Sequence, residues 1–121
     1  MNRIRIAVLA VVAVLAVLAV VPAAQATVKA PVLVATVGPG FTITLTQGGK
    51  KVTSLKAGAY TIKVFDKSNI HNFHLIGPGV NKMTSVPVTG VQTWNVVLRK
   101  GTYKYQCDPH APIMKGSFTV T

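Results

Sequence analysis

From Val32 onward the chain is written in short runs that alternate apolar and polar residues, each closed by Gly, Pro, Asn or Asp. A period of two puts alternate side chains on opposite faces of an extended strand, and frequent turn formers keep each strand short. Val32 to Val37 is the first such run and ends at Gly38-Pro39-Gly40. Phe41-Thr42-Ile43-Thr44-Leu45-Thr46 alternates apolar residues with Thr, as a strand with one buried face does. Gln47-Gly48-Gly49-Lys50 reads as a turn, with Lys51 to Leu55 returning as a hairpin arm. Ala59 to Phe65 sets Tyr60, Ile62 and Val64 on one side. His71 to Ile76, Val91 to Leu98, Thr102 to Cys107 and Ser117 to Val120 complete the set, and Val80 to Gly90 reads as irregular. About seven short strands, with no convincing helix after residue 26, predict an all-β sandwich forming one domain.

The beginning of the chain follows a different pattern. Asn2-Arg3-Ile4-Arg5 precedes an apolar run from Ile6 to Val21, Pro22 breaks it, and Ala24-Gln25-Ala26 supplies small residues at a cleavage position. This is the order of a secretory signal peptide, so residues 1–26 are expected to be a leader and 27–121 the folded domain. The alternative is a retained anchor, although the run is at the short end for a span, which needs about 20 apolar residues. The expected location is therefore outside the cytoplasm, periplasmic or extracellular, with membrane association as a variant.

The formal charge is +11, and Arg3 and Arg5 account for only two of those charges. The only acidic residues are Asp66 and Asp108. Such an excess favours anionic partners: an acidic protein, or an anionic membrane or cell-wall surface. The lysines are scattered and interleave with no aromatic stacking motif, so nucleic acid is not an expected partner. The domain is expected to act as a monomer. Two acidic residues also leave little scope for a carboxylate pair in acid–base catalysis, and an enzyme is not expected.

Cys107 is the only cysteine, which rules out an internal disulfide. It opens Cys107-Asp108-Pro109-His110-Ala111-Pro112-Ile113-Met114, placing a thiol, an imidazole and a thioether within eight residues. Asp108-Pro109 opens a turn, and such a loop can wrap one ion with three donors. A fourth donor must come from His71 or His74 in His71-Asn72-Phe73-His74-Leu75. Strand parity favours His71, which shares a face with Phe73 and Leu75, while His74 falls on the other face in an exposed or supporting role. One Cys, two His and a weak axial Met form the donor set of a blue-copper electron-transfer site.

The run from Gly101 to His110, continued by Met114-Lys115-Gly116-Ser117-Phe118-Thr119-Val120, resembles the C-terminal signature of plastocyanin-like cupredoxins. His71-Asn72 is similar to the His-Asn pair that supplies the other imidazole in that family. The resemblance implies a Greek-key β-sandwich with one type 1 copper near one end. It implies His71, Cys107 and His110 as strong ligands and Met114 as the long axial one. It also implies a hydrogen bond from the backbone N–H of Asn72 to the thiolate of Cys107. Two features depart from the common pattern: the extra His74, and a loop of only three residues between His110 and Met114. The expected activity is one-electron transfer to an acidic redox partner; copper storage or delivery on the same fold is the alternative.

Overall fold

A computed structural model describes residues 14–121, and ten strands form among them. Five make the first sheet: β1 (Val32–Val37), β2 (Ile43–Gln47), β3 (Lys50–Lys51), β5 (Gly58–Asp66) and β8 (Gly90–Leu98), in the order β3-β2-β1-β5-β8. The second sheet contains β4 (Ser54–Leu55), β6 (His74–Gly77), β7 (Val80–Met83), β9 (Gly101–Gln106) and β10 (Lys115–Val120), in the order β4-β10-β9-β6-β7. The only helical element among the described residues is a single 3-10 turn, Asp108–His110.

The alternating residues meet between the sheets. Leu33, Ala35 and Val37 from β1, Ile62 and Val64 from β5, and Tyr103 from β9 are wholly buried, with Phe118 and Val120 of β10 nearly so. Tyr103 stacks on Phe118 at 5.2 Å between ring centroids, and Phe73 stacks on Tyr105 at 5.6 Å. Such pairs add about 0.5–1.5 kcal/mol each beyond the burial of their surface. β1 runs parallel to β5 and antiparallel to β2, and β6 pairs antiparallel with both β7 and β9. The end of β5 and the start of β6 therefore bring the connection that carries His71 to the same end of the sandwich as the β9–β10 loop. This is the expected Greek-key sandwich.

Its strand list is longer than the sequence pattern predicts, for local reasons. The hairpin at Gly48–Gly49, both with positive φ, returns only as far as Lys51. The chain then crosses to the other sheet, where Ser54–Leu55 pairs parallel to β10. Two-residue strands are too short to show a period. β7 falls in the segment expected to be irregular. It is an edge strand in which only Val80 is buried, so no apolar alternation marks it. Phe41 lies before β2, not in it, and is exposed rather than core-facing. Residues 71–73 likewise precede β6, and Asn72 is buried along with His71 and Phe73.

Residues 14–31 have no regular secondary structure and are almost entirely exposed. Among the described residues no helix is long and apolar enough to cross a membrane. Residues 1–13, which hold the charged start and part of the apolar run of the expected leader, lie outside the described residues.

Candidate metal centre

Three loops meet at one end of the sandwich, and each brings a side chain to the same point. The β5–β6 connection carries His71, fully buried. A set of polar contacts holds that connection in place. The Ser68 backbone N–H donates to Asp66 Oδ1 at 3.3 Å, and the Ile70 N–H donates to Ser68 Oγ at 3.2 Å. Thr84 Oγ1 donates to Asp66 Oδ2 at 2.7 Å and accepts from the Phe73 N–H at 2.9 Å. The buried Asp66 thus ties the end of β5 to the residues around His71. The turn after β1 closes on the same ring. A Cβ at Gly38 (φ 73°) would lie 2.8 Å from Ser68 Cβ and 3.5 Å from His71 Cδ2, so the close approach and the positive φ both call for glycine.

The β9–β10 loop carries Cys107 and His110. Cys107 is fully buried, and the 3-10 turn begins directly after it. The loop is closed by its own backbone: His110 N–H donates to Cys107 O, Met114 N–H to His110 O, and Cys107 N–H to Met114 O, at 2.9–3.0 Å. The tight turn brings residue 110 back over residue 107, which is why a Cys-x2-His spacing can serve one ion. Met114 closes the loop and is fully buried.

His71 Nδ1 and His110 Nδ1 are 3.0 Å apart, and Cys107 Sγ lies 3.6 and 3.5 Å from them. An ion bonded at about 2.0–2.1 Å to each nitrogen and about 2.3 Å to sulfur, as zinc is, bridges separations up to roughly 4 Å. The three atoms therefore fit one ion, and their chemistry, thiolate with two imidazoles, suits copper. His71 Nε2 is buried without a hydrogen-bond partner. A neutral ring protonated there keeps the Nδ1 lone pair free for the ion.

Of the two candidate histidines, His71 lies beside Cys107 and His110 and His74 does not. His74, at the start of β6, points away from this cluster. Its Nδ1 lies 2.9 Å from Asp108 Oδ1, and its Nε2 lies 2.6 Å from Asn81 Oδ1. Burial works against a charge on His74, but the hydrogen bonds to Asn81 and Asp108 and the Asp108 charge outweigh it, so its pKa rises above the usual 6.5. Burial also opposes ionisation of Asp108. Hydrogen bonds from Gln106, Asn72 and His74, with the His74 charge, overcome it and hold the carboxyl below its usual range.

Asn72 takes part through its side chain: its amide donates to Asp108 Oδ2 at 2.9 Å, and its Oδ1 accepts from the Asp108 N–H at 2.7 Å. The backbone N–H of Asn72 expected at the sulfur is not among the hydrogen bonds of the described residues. Two participants escaped the sequence reading. Phe41 packs edge-on against both imidazoles, 5.1 Å from His71 and 5.0 Å from His110 between centroids. Its alternation with Ile43 and Leu45 disguised it as a strand residue. Asp108 read only as a turn former, although a carboxylate beside the lone cysteine of so basic a chain is itself a signal.

Residues 36–121 match the family model described as copper binding proteins, plastocyanin/azurin family. The chain belongs to that family. It is a cupredoxin-like blue copper protein whose cofactor is one type 1 copper ion. Similar solved structures include a rusticyanin variant, with 22% identity over 78% of this chain and 80% of that one at a TM-score of 0.56. Another rusticyanin is 18% identical over 78% and 80% of the two chains, with a TM-score of 0.58. A chain of a heme-copper terminal oxidase dimer is 22% identical over 74% of this cupredoxin and 63% of its own length, at 0.50. At these identities the likeness is one of fold. No curated protein is significantly similar to this cupredoxin in sequence.

Proposed function

We propose that this cupredoxin is an exported one-electron carrier in which His71, Cys107 and His110 hold the copper and Met114 is its weak axial partner. The observation that carries this reading is the convergence of one sulfur and two Nδ1 atoms beneath a surface edge. Bound copper supplies a reversible one-electron change between cuprous and cupric states. The protein's part is to hold its donors still, so that little reorganises when the electron moves. His71 is locked through Asp66 and the Gly38 turn, and Cys107 and His110 through the backbone of their own loop. His110 is only partly buried and is followed by Ala111, Pro112 and the largely exposed Ile113, an apolar edge through which an electron can pass.

The partner is an acidic protein. Lys51, Lys104 and Lys115 line a groove of about 730 Å³ that reaches Ala111 and Pro112 beside the copper loop. Of the two acidic residues, Asp66 is buried and Asp108 is engaged by His74, so neither offsets those lysines. Attraction of this kind speeds encounter and weakens as salt screens it. The leader-like residues 1–26 support export. The storage or delivery reading would use His74 as an extra donor, but both of its nitrogens are already engaged.

The test is visible absorption and paramagnetic resonance on the copper-loaded domain, followed by a reductant titration. Intense copper–thiolate absorption that bleaches and returns with one electron per protein is expected, and is lost in Cys107→Ser. A colourless oxidised protein, or copper that leaves on reduction, overturns the reading.

A further inference from the structure

The candidate ligands sit on two loops far apart in sequence, and one carboxylate joins those loops. Asp108 accepts from the Asn72 side chain at 2.9 Å, from Gln106 Nε2 at 2.8 Å and from His74 Nδ1 at 2.9 and 3.1 Å. Its own N–H donates back to Asn72. Asn72 follows His71, and Asp108 follows Cys107, so this contact links two donor residues. His74 belongs to neither loop. It lies opposite Gln106 across β6–β9 and opposite Met83 across β6–β7, so its backbone is held between two neighbouring strands. Its second nitrogen meets Asn81 Oδ1 at 2.6 Å. An imidazolium satisfies both contacts and cannot turn without breaking one.

We infer that His74 is a positioning residue: anchored in the β6–β7 edge, it holds Asp108, and through Asp108 it keeps the Cys107–His110 turn seated against Asn72. The spacing of the sulfur and His110 Nδ1 from His71 Nδ1 then depends on a side chain that never touches the ion. The inference rests on the ligand assignment proposed above, but its first readout needs no copper. A strand residue is a firmer anchor than a loop residue because its backbone opens only with the sheet.

The test is hydrogen exchange on the metal-free protein, read at the His110 and Met114 amides that close the loop. His74→Ala should speed their exchange at least about fivefold while leaving amides of the β5 core unchanged. Asp108→Ala should speed the same amides, and the double variant should be no faster than Asp108→Ala alone, because one residue acts through the other. In the copper-loaded protein His74→Ala should shift the copper–thiolate absorption band, and His74→Gln, which keeps a donor toward Asp108, should restore it. Additive effects in the double variant, equal acceleration across the domain, or no change at the loop amides would each overturn the inference. Should His74→Ala fail to fold, His74→Leu, closer in volume, enters the same comparison with the same outcomes. If the wild-type protein takes up no copper, the ligand assignment falls, and the exchange result still decides the role of His74.

Discussion

The Nδ1 atoms of His71 and His110 lie 3.0 Å apart although 39 positions separate them in the chain. Neither local propensity nor the alternating pattern brings them together. The approach follows from β1, β5 and β9 ending at one end of the sandwich, and from a 3-10 turn that folds His110 back over Cys107. Two like imidazoles held so close serve best when an ion lies between them and the sulfur.

His71→Ala should abolish stable copper binding, whereas His74→Ala should retain the ion. The first removes one of three converging donors, and the second removes only a support of the loop. Copper content after dialysis against a mild chelator measures both. Equal losses would show that the two histidines do not play separate parts.

Met114→Leu should keep the copper and raise the reduction potential. Loss of a lone-pair donor disfavours the more positive cupric state. The fold should tolerate the change, since a near-isosteric swap in a core costs less than about 1.5 kcal/mol. Cyclic voltammetry with a urea unfolding curve measures both quantities; loss of all copper would show that Met114 is more than a weak partner.

Phe41→Ala should destabilise the fold by no more than about 1 kcal/mol, because the ring is more than half exposed and loses mainly its edge contacts with the imidazoles. Its larger effect should be faster copper release, as water reaches both rings. Stopped-flow transfer to a coloured chelator measures that rate, and an unchanged rate would reduce Phe41 to a surface residue.

Folding stability should show a His74-dependent decline with rising pH. The folded pKa of His74 lies above its usual 6.5. Its contribution is therefore complete below about pH 6.5 and lost as pH rises through the higher folded value. Asp108 acts in the opposite sense: its lowered pKa contributes stability above its ordinary value of 3.8, which is lost on acidification through the folded one. Urea midpoints between pH 5 and 9 should fall in the wild-type protein more than in His74→Gln, both metal-free. Parallel curves would remove His74 from the linkage.

Much of this was legible before folding. Alternation in residues 59–65 and 102–107 marked strands whose Tyr60, Ile62, Val64, Tyr103 and Tyr105 prove buried. The lone cysteine among nearby His and Met residues marked the metal. Parity favoured His71 over His74, and His71 is the one beside Cys107, although residues 71–73 precede β6 and Asn72 is buried with its neighbours. The segments missed were those whose state depends on neighbours. Val80–Met83 becomes a strand only because β6 offers it an edge, and Lys50–Leu55 divides between sheets that no local pattern distinguishes.

The sequence by itself determined a β-sandwich and the kinds of donor available, because strand period and ligand chemistry are properties of residues and their near spacing. Only the tertiary structure decided which groups surround the donors: Phe41 across both imidazoles, and Asp108 held between Asn72 and His74. Those contacts join residues thirty or more positions apart, and sheet register, not composition, sets the distances between them.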